Sequence, residues 1–148
     1  MKRMKTLFAG AAMMVAATMA APAMAQESSY KAGSVWVANR IYVLPGQTEN
    51  YMDWLAKDWK KMREFGQKEG VEISYRVLAV NNARKDEANL ILLIEYKDYL
   101  TNAQQDAFSK KLNAFLASDE RKAAAGNAAR GVMREQWGST EYQELLLK

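Results

Sequence analysis

The feature that most constrains this chain is a change of period at Pro45-Gly46. Before it, Val35 to Leu44 (VWVANRIYVL) reads as a strand, with Val35, Val37, Ile41 and Val43 on one face and Trp36, Ala38, Tyr42 and Leu44 on the other. Pro cannot donate to a strand ladder and Gly permits the turn, so the strand ends there. From Gln47 to Gln67 the apolar residues Met52, Leu55, Trp59, Met62 and Phe65 or Gly66 recur every three or four positions, the pattern of an amphipathic helix that packs on a sheet. Gly70 supplies a stop.

The remaining elements follow the same logic. Val71 to Val80 is a second strand, Asn81 to Asn89 a polar connector and Leu90 to Tyr96 (LILLIEY) a third strand, forming an antiparallel hairpin with the second. Thr101-x-x-Gln104 is a capping box opening a second helix with Phe108, Leu112, Phe115 and Leu116 as its stripe. Ser118 to Ala125 adds a turn or two, Gly126 to Gly131 reads as a loop, and Val132 to Ser139 with Tyr142 to Leu147 supplies the last strand or strands. The order is strand, helix, strand, strand, helix, strand. It predicts an α+β fold of the ferredoxin-like split βαβ type, a four-stranded antiparallel sheet with helices on one face. Neither LILLIEY nor Val35 to Leu44 alternates cleanly, so both faces of the central strands need cover. A second copy of the chain is the simplest cover, and a homodimer is expected.

The first residues read as an export signal. Lys2, Arg3 and Lys5 precede an Ala-rich apolar run from Leu7 to Ala21, and Ala23-Met24-Ala25 is a small-x-small cleavage pattern, placing the mature start at Gln26. The run is shorter than the roughly 20 residues of a membrane span. Residues 26–33 read as a flexible lead-in and 34–148 as a single domain; the expected location is periplasmic or secreted. Cleavage removes three of the 21 Lys and Arg, leaving 18 against 17 acidic residues, so the basic character of the full chain belongs mainly to the signal. A near-neutral domain has no electrostatic footprint for nucleic acid or an anionic membrane. With no Cys, packing alone must hold an exported fold of this size.

The strand ending in Leu44-Pro45-Gly46 before a Tyr- and Trp-bearing helix, the hairpin closing in LILLIEY and the terminal ELLLK resemble the dimeric α/β-barrel superfamily, which includes antibiotic-biosynthesis monooxygenases and stress-responsive barrel proteins. The resemblance implies two sheets face to face across a two-fold axis, and a ligand cleft between sheet and helices in each subunit. Fold alone does not assign an activity.

The side chains present narrow the chemistry. The chain contains no His, which removes the usual base for a Ser nucleophile, the commonest transition-metal ligand and the axial ligand that haem-binding members of the superfamily use. No cofactor, metal or catalytic residue is assigned. Ser28-x-x-Lys31 formally matches a serine–lysine pair but lies in the lead-in without companion motifs. Candidate ligand-binding residues are Asn39, Arg40, Tyr42, Trp54 and Glu95, aromatic and polar groups on the core elements. A packing reading competes: Arg40 and Glu95 as a cross-strand ion pair, Asn39 as a satisfied buried amide, the tryptophans as core, and Arg134, Glu135 and Trp137 as edge or interface residues. The reading favoured here is a noncatalytic exported dimer that binds a small apolar or aromatic molecule or acts as an accessory protein. The alternative is a cofactor-independent monooxygenase acting on an aromatic substrate, with Asn39, Arg40, Tyr42 and Trp54 as positioning groups.

Overall fold

A computed structural model describes residues 27–148; the segment read as an export signal lies outside the described residues. Strand β1 spans Tyr30–Val43, β2 Glu72–Ala79, β3 Leu90–Tyr96 and β4 Arg134–Leu147. They form one antiparallel sheet in the order β2-β3-β1-β4, the order of the split βαβ arrangement. Between β1 and β2 run α1 (Thr48–Trp54), a π-helical turn (Leu55–Trp59) and α2 (Lys60–Lys68). Between β3 and β4 lie α3 (Asn102–Phe115) and α4 (Glu120–Ala129).

The core forms where the first helical stretch meets the sheet. Tyr51, Leu55 and Trp59 are buried against Ile41 and Val43 of β1 and Leu90, Leu92 and Ile94 of β3. The buried stripe therefore starts at Tyr51, whereas Met52, expected on it, is exposed. Spacings of four drift around an α-helix, and the wider π turn at Leu55–Trp59 returns them to one face. The helix stops as expected at Gly70, whose φ of +70° admits a Schellman closure: Val71 N–H donates to Gly66 O and Gly70 N–H to Gln67 O, each at 3.0 Å.

The capping box forms as expected, with Thr101 and Gln104 side chains each bonded to the other's backbone N–H. The stretch 126–129, expected as loop, is instead the end of α4. Asp119 caps this helix by accepting from Lys122 N–H at 2.8 Å, and its Ala-rich body propagates from there. The expected last strand or strands are one strand of 14 residues, and β1 is equally long, pairing Tyr30 with Leu147 so that part of the polar lead-in is already sheet.

Three bulges interrupt the registers. In β1, Gly33 and Ser34 face Glu144 alone; in β2, Ile73 is extra relative to β3; in β4, Trp137 and Gly138 face Arg40 alone. Gly138 has φ +105°, which a side-chain-bearing residue rarely adopts. Each bulge flips the parity of the strand beyond it.

At the end of the β1–β3 ladder, the Asn89 side chain accepts from Val43 N–H (2.7 Å) and donates to Val43 O (2.9 Å). Asn89→Ala orphans both groups in a partly buried site and is expected to reduce stability by about 1–3 kcal/mol. Urea unfolding monitored by tryptophan fluorescence measures it.

Candidate functional site

Helix α3 does not lie flat on the sheet. Phe65 of α2 stacks on Phe115 at 4.5 Å and lies 6.0 Å from Phe108, so α3 leans on α2 through its aromatic residues, and no residue of α3 is fully buried. The lean leaves a cleft of about 330 Å³ between α3 and the helix-side face of β1 and β4. Val35, Val37, Tyr96, Tyr99, Leu100 and Phe108 give it an apolar and aromatic wall; Arg63, Asp98, Gln105, Ser109 and Glu141 make the rest polar, with two carboxylates. A larger, more solvent-open groove of about 690 Å³ shares Tyr99, Leu100 and Phe108 but does not reach the sheet. The smaller cleft is the better candidate because it reaches a charged cluster at the edge of the core.

That cluster is Arg63, Glu72 and Tyr96. The Glu72 side chain is fully buried and its carboxyl lies 2.8 Å from Arg63 Nη1. Neither carboxyl oxygen receives a well-directed hydrogen bond among the described residues, and Arg63 Nε is likewise unpartnered. Burial outweighs the nearby cation and pushes the Glu72 pKa up to about 7 from its ordinary 4.5. The Tyr96 hydroxyl is also raised, first by burial, with Glu72 and Glu141 adding to the shift and Arg63 opposing it. Space for the Glu72 carboxyl comes from Gly66 on α2, where an added Cβ would overlap it. Arg63 packs over the Trp59 ring at 5.6 Å and also lines the cleft, so it links the buried acid to the opening.

The five residues singled out from sequence do not converge. Arg40, Tyr42 and Glu95 share the sheet face turned away from the helices, whereas Asn39, by its register with Leu92, lies on the helix side, as does Trp54 of α1. Tyr42 stacks on Trp137 at 4.6 Å with the rings 1° from parallel, and Arg40 borders a shallow hollow with Trp137 and Ile91. Trp54 stacks on Tyr51 at 5.5 Å. Asn39 is half-buried, not enclosed. The Arg40–Glu95 ion pair does not form: Arg40 pairs in register with Ile91 and Glu95 with Trp36. Glu95 instead accepts from the Ser34 hydroxyl at 2.8 Å and the Ser74 hydroxyl at 2.6 Å.

Sequence reasoning missed Arg63, Glu72 and Tyr96 as a group. In an unbroken strand Glu72 shares a face with Ser74 and Arg76, opposite Val71, Ile73, Tyr75 and Val77. The bulge at Ile73 turns it to the side of Tyr75 and Val77. The available signal was Gly66, a gap in an otherwise bulky helical stripe.

Among the described residues, no group of three or more His, Cys, Asp or Glu is placed to hold a metal ion, and no helix is long and apolar enough to cross a membrane. No family profile matches the sequence, and no characterised protein matches it closely enough in sequence to count as a relative. Among solved structures the chain is similar to HapK from Hahella chejuensis, with 12% identity, a TM-score of 0.50, and coverage of 74% of this chain and 91% of that one. It also matches protein SO0527 from Shewanella oneidensis, with 15% identity, a TM-score of 0.47, and coverage of 79% and 98%. The first likeness supports the α+β fold alone.

Two outcomes follow from the buried acid. Since the folded chain holds the Glu72 proton more tightly than the unfolded chain, its contribution to stability is complete below the unfolded pKa of 4.5 and is lost as pH rises through about 7. Glu72→Gln removes this dependence, so its urea midpoint falls less than the wild-type midpoint between about pH 5 and pH 8, a difference on the order of 2 kcal/mol. Gly66→Ala, favourable in an ordinary helix interior, is expected to destabilise by about 1–3 kcal/mol through its clash with the Glu72 carboxyl; thermal unfolding gives the sign.

Proposed function

We propose that the protein is an exported homodimer that binds a small apolar or aromatic molecule in the cleft between α3 and the sheet, without catalysing a reaction on it. The observation that carries the reading is the cleft itself: an aromatic and aliphatic wall facing a comparable share of polar and charged groups, opened by the lean of α3 onto α2. Small-molecule sites are generally concave and combine apolar surface with orienting polar groups, and this cleft offers both. Arg63 and Tyr96 are the orienting groups at its floor.

The composition of the other sheet face supports the dimeric part of the reading. That face carries Trp36, Ala38, Ile91 and Leu93 at its centre, with Leu78 (43% exposed) and Tyr142 (54% exposed) beside them. No helix covers it among the described residues, and a second sheet packed on it would remove this surface from water. The monooxygenase alternative assigned Asn39, Arg40, Tyr42 and Trp54 to one substrate; two lie on each side of the sheet, so a single site within one subunit does not gather them.

Native mass spectrometry of protein purified from the periplasm tests both parts. A dimer carrying a discrete extra mass supports the reading, and an empty monomer refutes it. Val37→Trp, which fills the cleft, is expected to lose the extra mass while remaining dimeric. Ile91→Glu places a charge in the sheet–sheet contact and is expected to give a folded monomer.

A further inference from the structure

Where α4 ends and β4 begins, two arginines one helical turn apart in sequence meet without an acid between them. Arg134 is only 6% exposed, and its Nη2 donates to Asn127 Oδ1 at 2.6 Å. Arg130 Nη2 donates to the same oxygen at 3.3 Å. The Nε atoms of both arginines are buried and have no acceptor among the described residues. Among the described residues no carboxylate comes within 4.0 Å of either guanidinium. Arg130 lies over the Trp54 ring at 4.2 Å, and Trp54 stacks on Tyr51, which is 1% exposed.

A guanidinium cannot escape burial by losing its proton, as a carboxylic acid does by gaining one. The neighbours supply only partial compensation. Asn127 offers one neutral oxygen to two cations, the Trp54 ring offers its quadrupole, and the C-terminus of α4 carries the equivalent of about half a negative charge against two whole positive ones. Asp58 is near enough to bias Arg130 electrostatically but not to pair with it, and the guanidinium of Arg134 disfavours the charge on Arg130. Burial raises the Tyr51 hydroxyl against the pull of Arg134 and Arg130, so it stays neutral and offers Arg134, which lies within its reach, a neutral acceptor but no charge. A buried cation and a half-buried one so placed lack a counter-charge among the described residues, and guanidinium forks match the paired oxygens of a carboxylate or phosphate.

We infer that Arg130, Arg134 and Asn127 form a binding site for a small oxyanion, a carboxylate or phosphate group, with Trp54 as its aromatic wall. Arg134 is the buried anchor. Arg130, half-buried, and Asn127, exposed, are the side by which the anion enters. The inference does not depend on the cleft beside α3.

The test titrates inorganic phosphate and, separately, benzoate into the purified protein at ionic strength held constant with sodium chloride, reading the melting temperature and tryptophan fluorescence. The expected result is stabilisation by at least one of the two beyond that by chloride, with a change in emission from Trp54. The stronger of the two identifies the source as phosphate or carboxylate. Arg130→Gln, at a half-buried position that leaves the anchor in place, is expected to weaken the effect about tenfold or more. Arg134→Lys keeps the charge but not the fork and is expected to weaken it similarly. Circular dichroism establishes that each variant is folded, and Asn127→Ala, at an exposed position, serves as a third probe if Arg134→Lys is not. Equal stabilisation of wild type and Arg130→Gln overturns the site, as does no effect of either anion on wild type. Conversion of a dimer to a monomer by Arg130→Gln, with no anion effect on either, would place a carboxylate of a second copy there and would also overturn it.

Discussion

The structure depends on β1 being paired along both edges. Among the described residues it is the only strand that contacts both β3 and β4, and its register with each fixes which residues face the helices. Val35, Val37, Ile41 and Val43 are held on the helix side by this double pairing. Tyr51, Leu55 and Trp59 of the first helical stretch then have one surface on which to close. Asn89 ties off the same ladder at its far end by bonding both backbone groups of Val43.

From that constraint the two halves of the helix side acquire different characters. Over β1, β2 and β3 the first helical stretch packs tightly and forms the core. Over β1 and β4, the aromatic contacts of α3 with α2 hold it away from the strands, leaving apolar surface beside polar β4 residues such as Glu141. Charged groups gather at the boundaries of this less covered half: Arg63 and Glu72 where α2 meets β2, and Arg130 and Arg134 where α4 meets β4. One cluster contains a buried acid that burial favours in its neutral form. The other contains one buried and one half-buried guanidinium, which have no such neutral form within reach.

Element order, strand pairing and the faces of β1 were legible in the sequence because each rests on a local period, and the turn at Pro45-Gly46 and the cap at Thr101 are local chemistry. The candidate site was not legible, for a reason visible in particular residues. Parity carries a face along a strand only until a bulge. Ile73 turns Glu72 inward, and the Trp137-Gly138 bulge accompanies the stacking of Trp137 on Tyr42. Arg40 and Glu95 were correctly placed on one face, but their pairing required the β1–β3 register, which sets Arg40 opposite Ile91. The convergence of Arg130 and Arg134 required α4 to continue through Gly126 and Asn127, where composition suggested a loop.

The bulges have a further consequence at the margin of the sheet. Among the described residues nothing pairs with one long edge of β4, the kind of edge on which another chain can add as a strand and begin a fibre. Its ladder with β1 is broken twice, at Gly33-Ser34 and at Trp137-Gly138, and Glu135, Glu141 and Glu144 are spaced along it. An edge that is kinked, locally overtwisted and negatively charged is a poor template for an incoming strand. The rim of β4 therefore resists the open-ended strand addition from which fibres grow.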